Sequence, residues 1–146
     1  MNSESRTKVA VCGLDCTRCG DYENGEIKNL STRLVDMLRG YERVASLKSV
    51  NVPLFNEYPI FLRFLQHFSQ GTCGGCRSEN LRCPIECYAK TCYRQHGVDF
   101  CFECNDYPCN KQFEGKTRER WLERNNRMKE IGVENYYLEQ IKLPRY

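Results

Sequence analysis

The chain has 146 residues, 40% of them hydrophobic and 28% charged, with a formal net charge of +3, which suits one globular domain. It is too short for a (β/α)₈ barrel of about 250 residues. Its apolar runs fall well short of the roughly 20 residues of a membrane span, and its polar start is no secretory leader. A cytoplasmic protein with no membrane partner is the expectation. Its unusual entry is eleven cysteines.

In chain order, residues 1–8 read as a flexible tail and 9–22 as a first cysteine cluster. A helical insert over 23–70 follows. Ile27, Leu30, Leu34, Leu38 and Tyr41 recur at helical spacing, with Gly40 placed to bend or end that helix. Residues 49–56 read as a loop. Residues 57–69 form the clearest amphipathic helix, with Phe61, Phe64, Leu65 and Phe68 on one face and Pro59 tolerated in its first turn. The aromatic stripe reads as core, and His67, off that face, as solvated.

Residues 72–110 hold eight cysteines with little periodicity and read as a metal-binding core of turns and short helices. C-terminal helices follow over 108–142. Phe113, Thr117, Trp121, Met128 and Ile131 share one face, Gly132 stops the first helix, and a last helix covers 133–142. The basic residues of 111–129 are interleaved with acids, which reads as a solvated face and supports nucleic-acid binding only weakly.

The cysteines are Cys12, Cys16, Cys19, Cys73, Cys76, Cys83, Cys87, Cys92, Cys101, Cys104 and Cys109. In a reducing compartment such a set reads as metal ligands rather than disulfides. Three C-x2-C pairs, Cys16/Cys19, Cys73/Cys76 and Cys101/Cys104, support this, because that turn brings two sulfurs within about 2.3 Å of one ion. Eleven sulfurs fill two four-cysteine sites and leave three. Two zinc sites, or three, are the expectation, with a [4Fe–4S] cluster as the alternative. Two zinc ions, each bound by four thiolates, would move the net charge from +3 to about −1.

A shared site is expected from Cys16, Cys19, Cys73 and Cys76, closing the insert into a loop. A second is expected from Cys101, Cys104 and Cys109 with Cys92 or Cys87. Cys12, Cys83 and the unused cysteine would form a third site or remain thiols. His96 is the one other residue considered as a ligand. Asp15 reads as a turn residue or as a proton carrier beside a metal, and Glu103 and Asp106 as solvated turn acids. Cys12-x3-Cys16-x2-Cys19 has the spacing of a radical S-adenosylmethionine motif, but the chain cannot supply the barrel that goes with it.

Cys12-Gly13-Leu14-Asp15-Cys16, Cys73-Gly74-Gly75-Cys76 and Gly97-Val98-Asp99-Phe100-Cys101-Phe102-Glu103-Cys104-Asn105-Asp106-Tyr107-Pro108-Cys109 resemble a prokaryotic cysteine-rich family, domain of unknown function 3795. That resemblance implies zinc and names no activity. The expected fold is therefore a small, α-rich, metal-stabilised single domain over 1–146, with long irregular cysteine-rich loops and little or no β-sheet. The expected role is an interaction or accessory module with an unknown protein partner. An iron–sulfur redox protein or an enzyme with one open zinc site are the alternatives, and no catalytic residue is assigned.

Overall fold

The computed structural model describes residues 3–146. It is helical, with only two isolated β-bridges among the described residues. No helix is long and apolar enough to cross a membrane.

Helix α1 spans Ser3–Lys8, α2 Glu26–Met37, α3 Glu42–Ser49 and α4 Tyr58–Ser69. Helix α5 spans Ala89–His96, α6 Gly115–Ile131 and α7 Val133–Gln140. Short 3₁₀ turns cover Pro53–Glu57 and Cys101–Glu103. The long helix expected from residue 23 is two helices, because Gly40 adopts φ +81° between α2 and α3, a conformation that costs glycine little.

Two expectations change at the ends of the cysteine-rich part. Of the expected tail 1–8, Met1 and Asn2 lie outside the described residues, and Ser3–Lys8 are helical. Polar composition concealed the partners that fix this segment. Arg6 pairs with Asp99 at 2.9 Å and with Glu103, Lys8 pairs with Glu4 one turn back, and α1 packs on α7. The helical pattern expected from residue 108 begins only at Gly115. Gln112 turns inward, and Arg118 donates to the carbonyls of Cys109 and Gln112, both at 2.8 Å, which holds that stretch as a loop.

The core has two adjoining parts. Ala10, Val11, Cys12, Cys76, Ala89, Tyr93 and Trp121 form one. Val9, Phe100, Met128, Val133 and Tyr136 form the other. Residues 9–12 contribute to both, and α6 borders both through Trp121 and Met128. Burying a side chain such as Phe100 or Met128 stabilises the fold by about 1.5–3 kcal/mol.

The insert is separate. Helix α4 packs on α2, and α3 and the Pro53–Glu57 turn pack on each other and on α4. Its neck is closed by a bridge between Tyr22 and Cys73, with Cys73 N–H donating to Asp21 and Glu23 N–H to Cys73. Phe61, Phe64 and Phe68 are 46%, 62% and 37% exposed, so the stripe read as core faces solvent. The insert is only one helix layer deep on that side, and amphipathicity alone does not say what covers a face.

Candidate metal centres

The first cysteine loop is built by short-range hydrogen bonds. Ala10 N–H donates to Leu14 at 2.7 Å, Gly13 N–H to Ala10 at 2.9 Å and Cys16 N–H to Lys8 at 3.0 Å. Gly13 is required twice over. Its φ is +91°, and a Cβ there would stand 2.9 Å from Cβ of Arg124 on α6. Asp15 is the loop's organiser. One carboxylate oxygen accepts from Thr17 N–H and Oγ1, the other from Arg18 Nε at 2.6 Å. The side chain is buried with both oxygens engaged, which supports the turn reading over the proton carrier. The C-x2-C turns at Cys16/Cys19 and Cys101/Cys104 each close with an N–H to carbonyl bond of 3.1 Å.

All eleven cysteines fall around two cavities. The wider, of about 500 Å³, is lined by Cys12, Cys16, Cys19, Cys73, Cys76, Cys83 and Cys87. The narrower, of about 380 Å³, is lined by Cys92, Cys101, Cys104 and Cys109. Within the wider cavity the Cys76 thiol lies beside that of Cys16. That contact, followed by burial, raises the Cys76 pKa. Burial, with Cys76 and Cys87 close by, pushes Cys12 up to about 12. Cys83 is raised by burial, also beside Cys76 and Cys87. In the narrower cavity burial raises Cys92, with Cys109 and Cys104 adding to it, and takes Cys101 to about 12. Buried thiols crowded with other thiols resist ionisation in the bare protein, and holding them as thiolates would take a cation to offset their charge.

Positive charge is already arranged around the wider cavity. Arg120, Arg124 and Arg145 line it. Residues 140–146 are strapped over the first loop. Arg18 donates to the carbonyls of Leu143 and Gln140, both at 2.6 Å, and Arg145 to that of Asp15 at 2.9 Å. The Tyr146 hydroxyl accepts from Gly20 N–H at 2.9 Å and faces Cys19. The narrower cavity has Trp121 instead. Its indole N–H is directed at the Cys101 sulfur and lowers that thiol's pKa against the effect of burial, but it closes no full hydrogen bond and has no other partner. A fully buried donor aimed at a sulfur fits an N–H···S contact to a metal-bound thiolate.

Three polar residues, two not singled out from the sequence and one read differently, hold the cavities in place. Asn125, fully buried, donates to Cys12 O at 3.2 Å and Trp121 O at 3.0 Å and accepts from Phe102 N–H at 3.1 Å. It therefore joins both cysteine loops to α6. Gln112 accepts from Tyr88 and Ala89 N–H at the start of α5, which carries Cys92. Glu103, read as a solvated turn acid, instead accepts from Asp99 and Phe100 N–H and pairs with Arg6. Asn125 had a sequence signal, since it falls between Trp121 and Met128 on one helical stripe. Gln112 and Glu103 had none.

Four sulfurs at about 2.3 Å from one zinc are roughly 3.8 Å apart. Among the described residues no three of these sulfurs approach within 4.8 Å of one another. The one triad of ligand atoms that close is His96, Cys104 and Asp106 at the rim of the narrower cavity. His96 Nδ1 stands 4.0 Å from the Asp106 carboxylate, and both side chains are well exposed.

A family of proteins of unknown function, DUF3795, matches residues 8–114. The chain belongs to that family. The DUF3795 match takes in all eleven cysteines and the whole insert and stops at the start of α6. No curated protein and no solved structure matches the chain.

Proposed function

We propose that the protein binds metal through its thiolates at both cavities, and that the metal is structural, supporting an interaction or accessory module. The observation that carries this reading is the partition of every cysteine between two cavities, seven in one and four in the other. The cavities stand where regular structure is missing, in the irregular stretches around α5 and the Cys101–Glu103 turn. Loops of that length need crosslinks in a compact domain.

Zinc is the leading ion. Cys92, Cys101, Cys104 and Cys109 would hold one, with Trp121 N–H on the Cys101 thiolate. Cys16, Cys19, Cys73 and Cys76 would hold another, favoured by the contact between Cys16 and Cys76. Cys12, Cys83 and Cys87 would remain as a three-thiol group for a third. A [4Fe–4S] cluster is the second reading. It is favoured by the clustered Cys12-x3-Cys16-x2-Cys19 triplet, all three of which line the wider cavity, and by the odd number of cysteines there.

The test is metal content and absorption of protein prepared without air. A colourless protein with two or three zinc equivalents is the expected result. Stoichiometric iron with visible absorption would replace zinc by the cluster. Cys104→Ser should lose about one equivalent while the other cavity stays loaded, and Cys16→Ser should do the reverse. Full metal content in both variants would overturn the proposal.

A further inference from the structure

The insert leaves uncovered a continuous apolar face, and its geometry can be worked out. Helices α2 and α4 have twelve residues each. They run antiparallel: the neck joins Glu23 to Cys73, while at the far end the rings of Tyr41 and Tyr58 are 5.4 Å apart. On α2 the inward stripe is Ile27, Ser31, Val35 and Leu38, and on α4 it is Tyr58, Leu62, Leu65 and Ser69. At about 100° per residue, Leu30, Leu34 and Met37 lie a quarter of the way round α2 from its inward stripe. Phe61, Phe64 and Phe68 lie a quarter of the way round α4, in the same rotational sense. In an antiparallel pair, the same sense on both helices puts both stripes on one side.

These six residues are 37–77% exposed. They offer on the order of 700 Å², close to the roughly 800 Å² that each partner gives up in a standard interface. Monomers rarely expose a contiguous apolar patch that large. We infer that this face, formed by Leu30, Leu34 and Met37 with Phe61, Phe64 and Phe68, is the docking surface for a second copy of the chain.

Charge favours a copy over a membrane or a nucleic acid. The only Lys, Arg, Asp or Glu in α4 is Arg63, which falls on the far side of the helix. The insert as a whole is close to neutral, so it has little net charge to draw it to anionic lipid or phosphate. Glu26 and Arg33 border the α2 stripe, four residues before Leu30 and three after it. Two copies related by a two-fold axis near Leu30 bring Glu26 of one copy opposite Arg33 of the other, an isologous and self-complementary contact. The product is a four-helix arrangement of two hairpins. None of the six residues lines either cysteine cavity, although Phe68 at the neck end rests on Gly20 beside Cys19. Substitutions at Met37 and Phe64 therefore give a test that does not depend on the metal reading.

Sedimentation velocity of the metal-loaded full chain, in reductant so that no disulfide forms, tests this. The expected result is a species of twice the 17.2 kDa chain mass at concentrations up to about 100 µM. Phe64→Glu and Met37→Glu, both at exposed positions, should weaken dimerisation by about tenfold or more with the helical circular dichroism unchanged. Arg63→Glu, on the other side of α4, should leave it intact. A monomeric wild type, an equal loss in Arg63→Glu, or binding of neutral lipid vesicles by a monomer would each overturn the inference.

Discussion

The insert and the cysteine-rich part differ in what holds them. The insert is a sequence of regular helices with a thin interior, in which only Ser31, Ala45, Tyr58 and Leu65 are buried within the helices. Of the eighteen exposed large hydrophobics among the described residues, twelve belong to it. The cysteine-rich part is the opposite. It has little regular structure between residues 70 and 115, yet it contains the fully buried Phe100 and Gln112 and packs on the fully buried Trp121 and Asn125 of α6. The first region has secondary structure and lacks cover. The second has cover and lacks secondary structure, so its loops depend on side-chain hydrogen bonds and, on our reading, on metal. Helix formation therefore does not measure where this protein is most cohesive.

The largest expected effect comes from metal removal, which should separate the two regions. A structural zinc contributes on the order of 10 kcal/mol of apparent folding free energy, comparable to the stability of a whole domain. Buried thiols reclaim protons as pH falls, so a strong chelator in mild acid should strip both cavities. Near-UV circular dichroism from Trp121 should vanish and the amide dispersion of residues 72–114 collapse, while helical signal from α2 and α4 persists. Native dispersion throughout after complete stripping would show that packing alone holds the loops. Simultaneous loss of the insert would show that the neck at Tyr22 and Cys73 couples the two regions into one cooperative unit.

A smaller effect should follow from one buried side chain. Asn125→Ala leaves the half-buried Phe102 N–H without its partner and Cys12 O with only the 3.4 Å contact from Arg124 Nε, at a cost of about 2–3 kcal/mol. In the insert the corresponding tether is Lys28 Nζ to Gly71 O at 2.8 Å, half-buried. Lys28→Met should cost under about 1 kcal/mol, because water can replace that partner. Urea unfolding of the two variants under equal metal loading makes the comparison. Equal costs would remove the distinction drawn between the regions.

The course of the chain was legible where local pattern decides it. Periodicity placed α2, α4, α6 and α7, Gly40 divided the first predicted helix, and C-x2-C spacing marked the turns that close at Cys16/Cys19 and Cys101/Cys104. It was illegible where the decision comes from a distant partner. The helicity of Ser3–Lys8 accompanies Arg6 pairing with acids more than ninety residues away, and the strap 140–146 depends on Arg18. The direction of the Phe61, Phe64 and Phe68 stripe was equally hidden, since a helical stripe reports amphipathicity and not the presence of a partner. Candidate ligands could be named because thiolate chemistry is local. Their division into seven and four required the fold.

The smallest expected effect separates a closed centre from a mixed one. His96 ends α5, with its imidazole and the Asp106 carboxylate close to Cys104. Were these three the ligands, with Cys104 shared or diverted from the other cysteines, His96→Ala would open the shell and release close to one metal equivalent. The placement argues against that outcome. His96 and Asp106 side chains are 41% and 69% exposed at the cavity rim. Cys101, by contrast, lies against the buried Trp121 indole, where a thiolate would gain a hydrogen bond. A centre formed by Cys92, Cys101, Cys104 and Cys109 leaves His96 solvated, and replacing an exposed imidazole changes stability by less than about 0.5 kcal/mol. His96→Ala should therefore keep its full metal content and unfold at the same urea midpoint as the wild type. Loss of one equivalent would move the narrower cavity to a Cys–His–Asp set with room for a water, and with it from a structural tie toward a centre able to do chemistry.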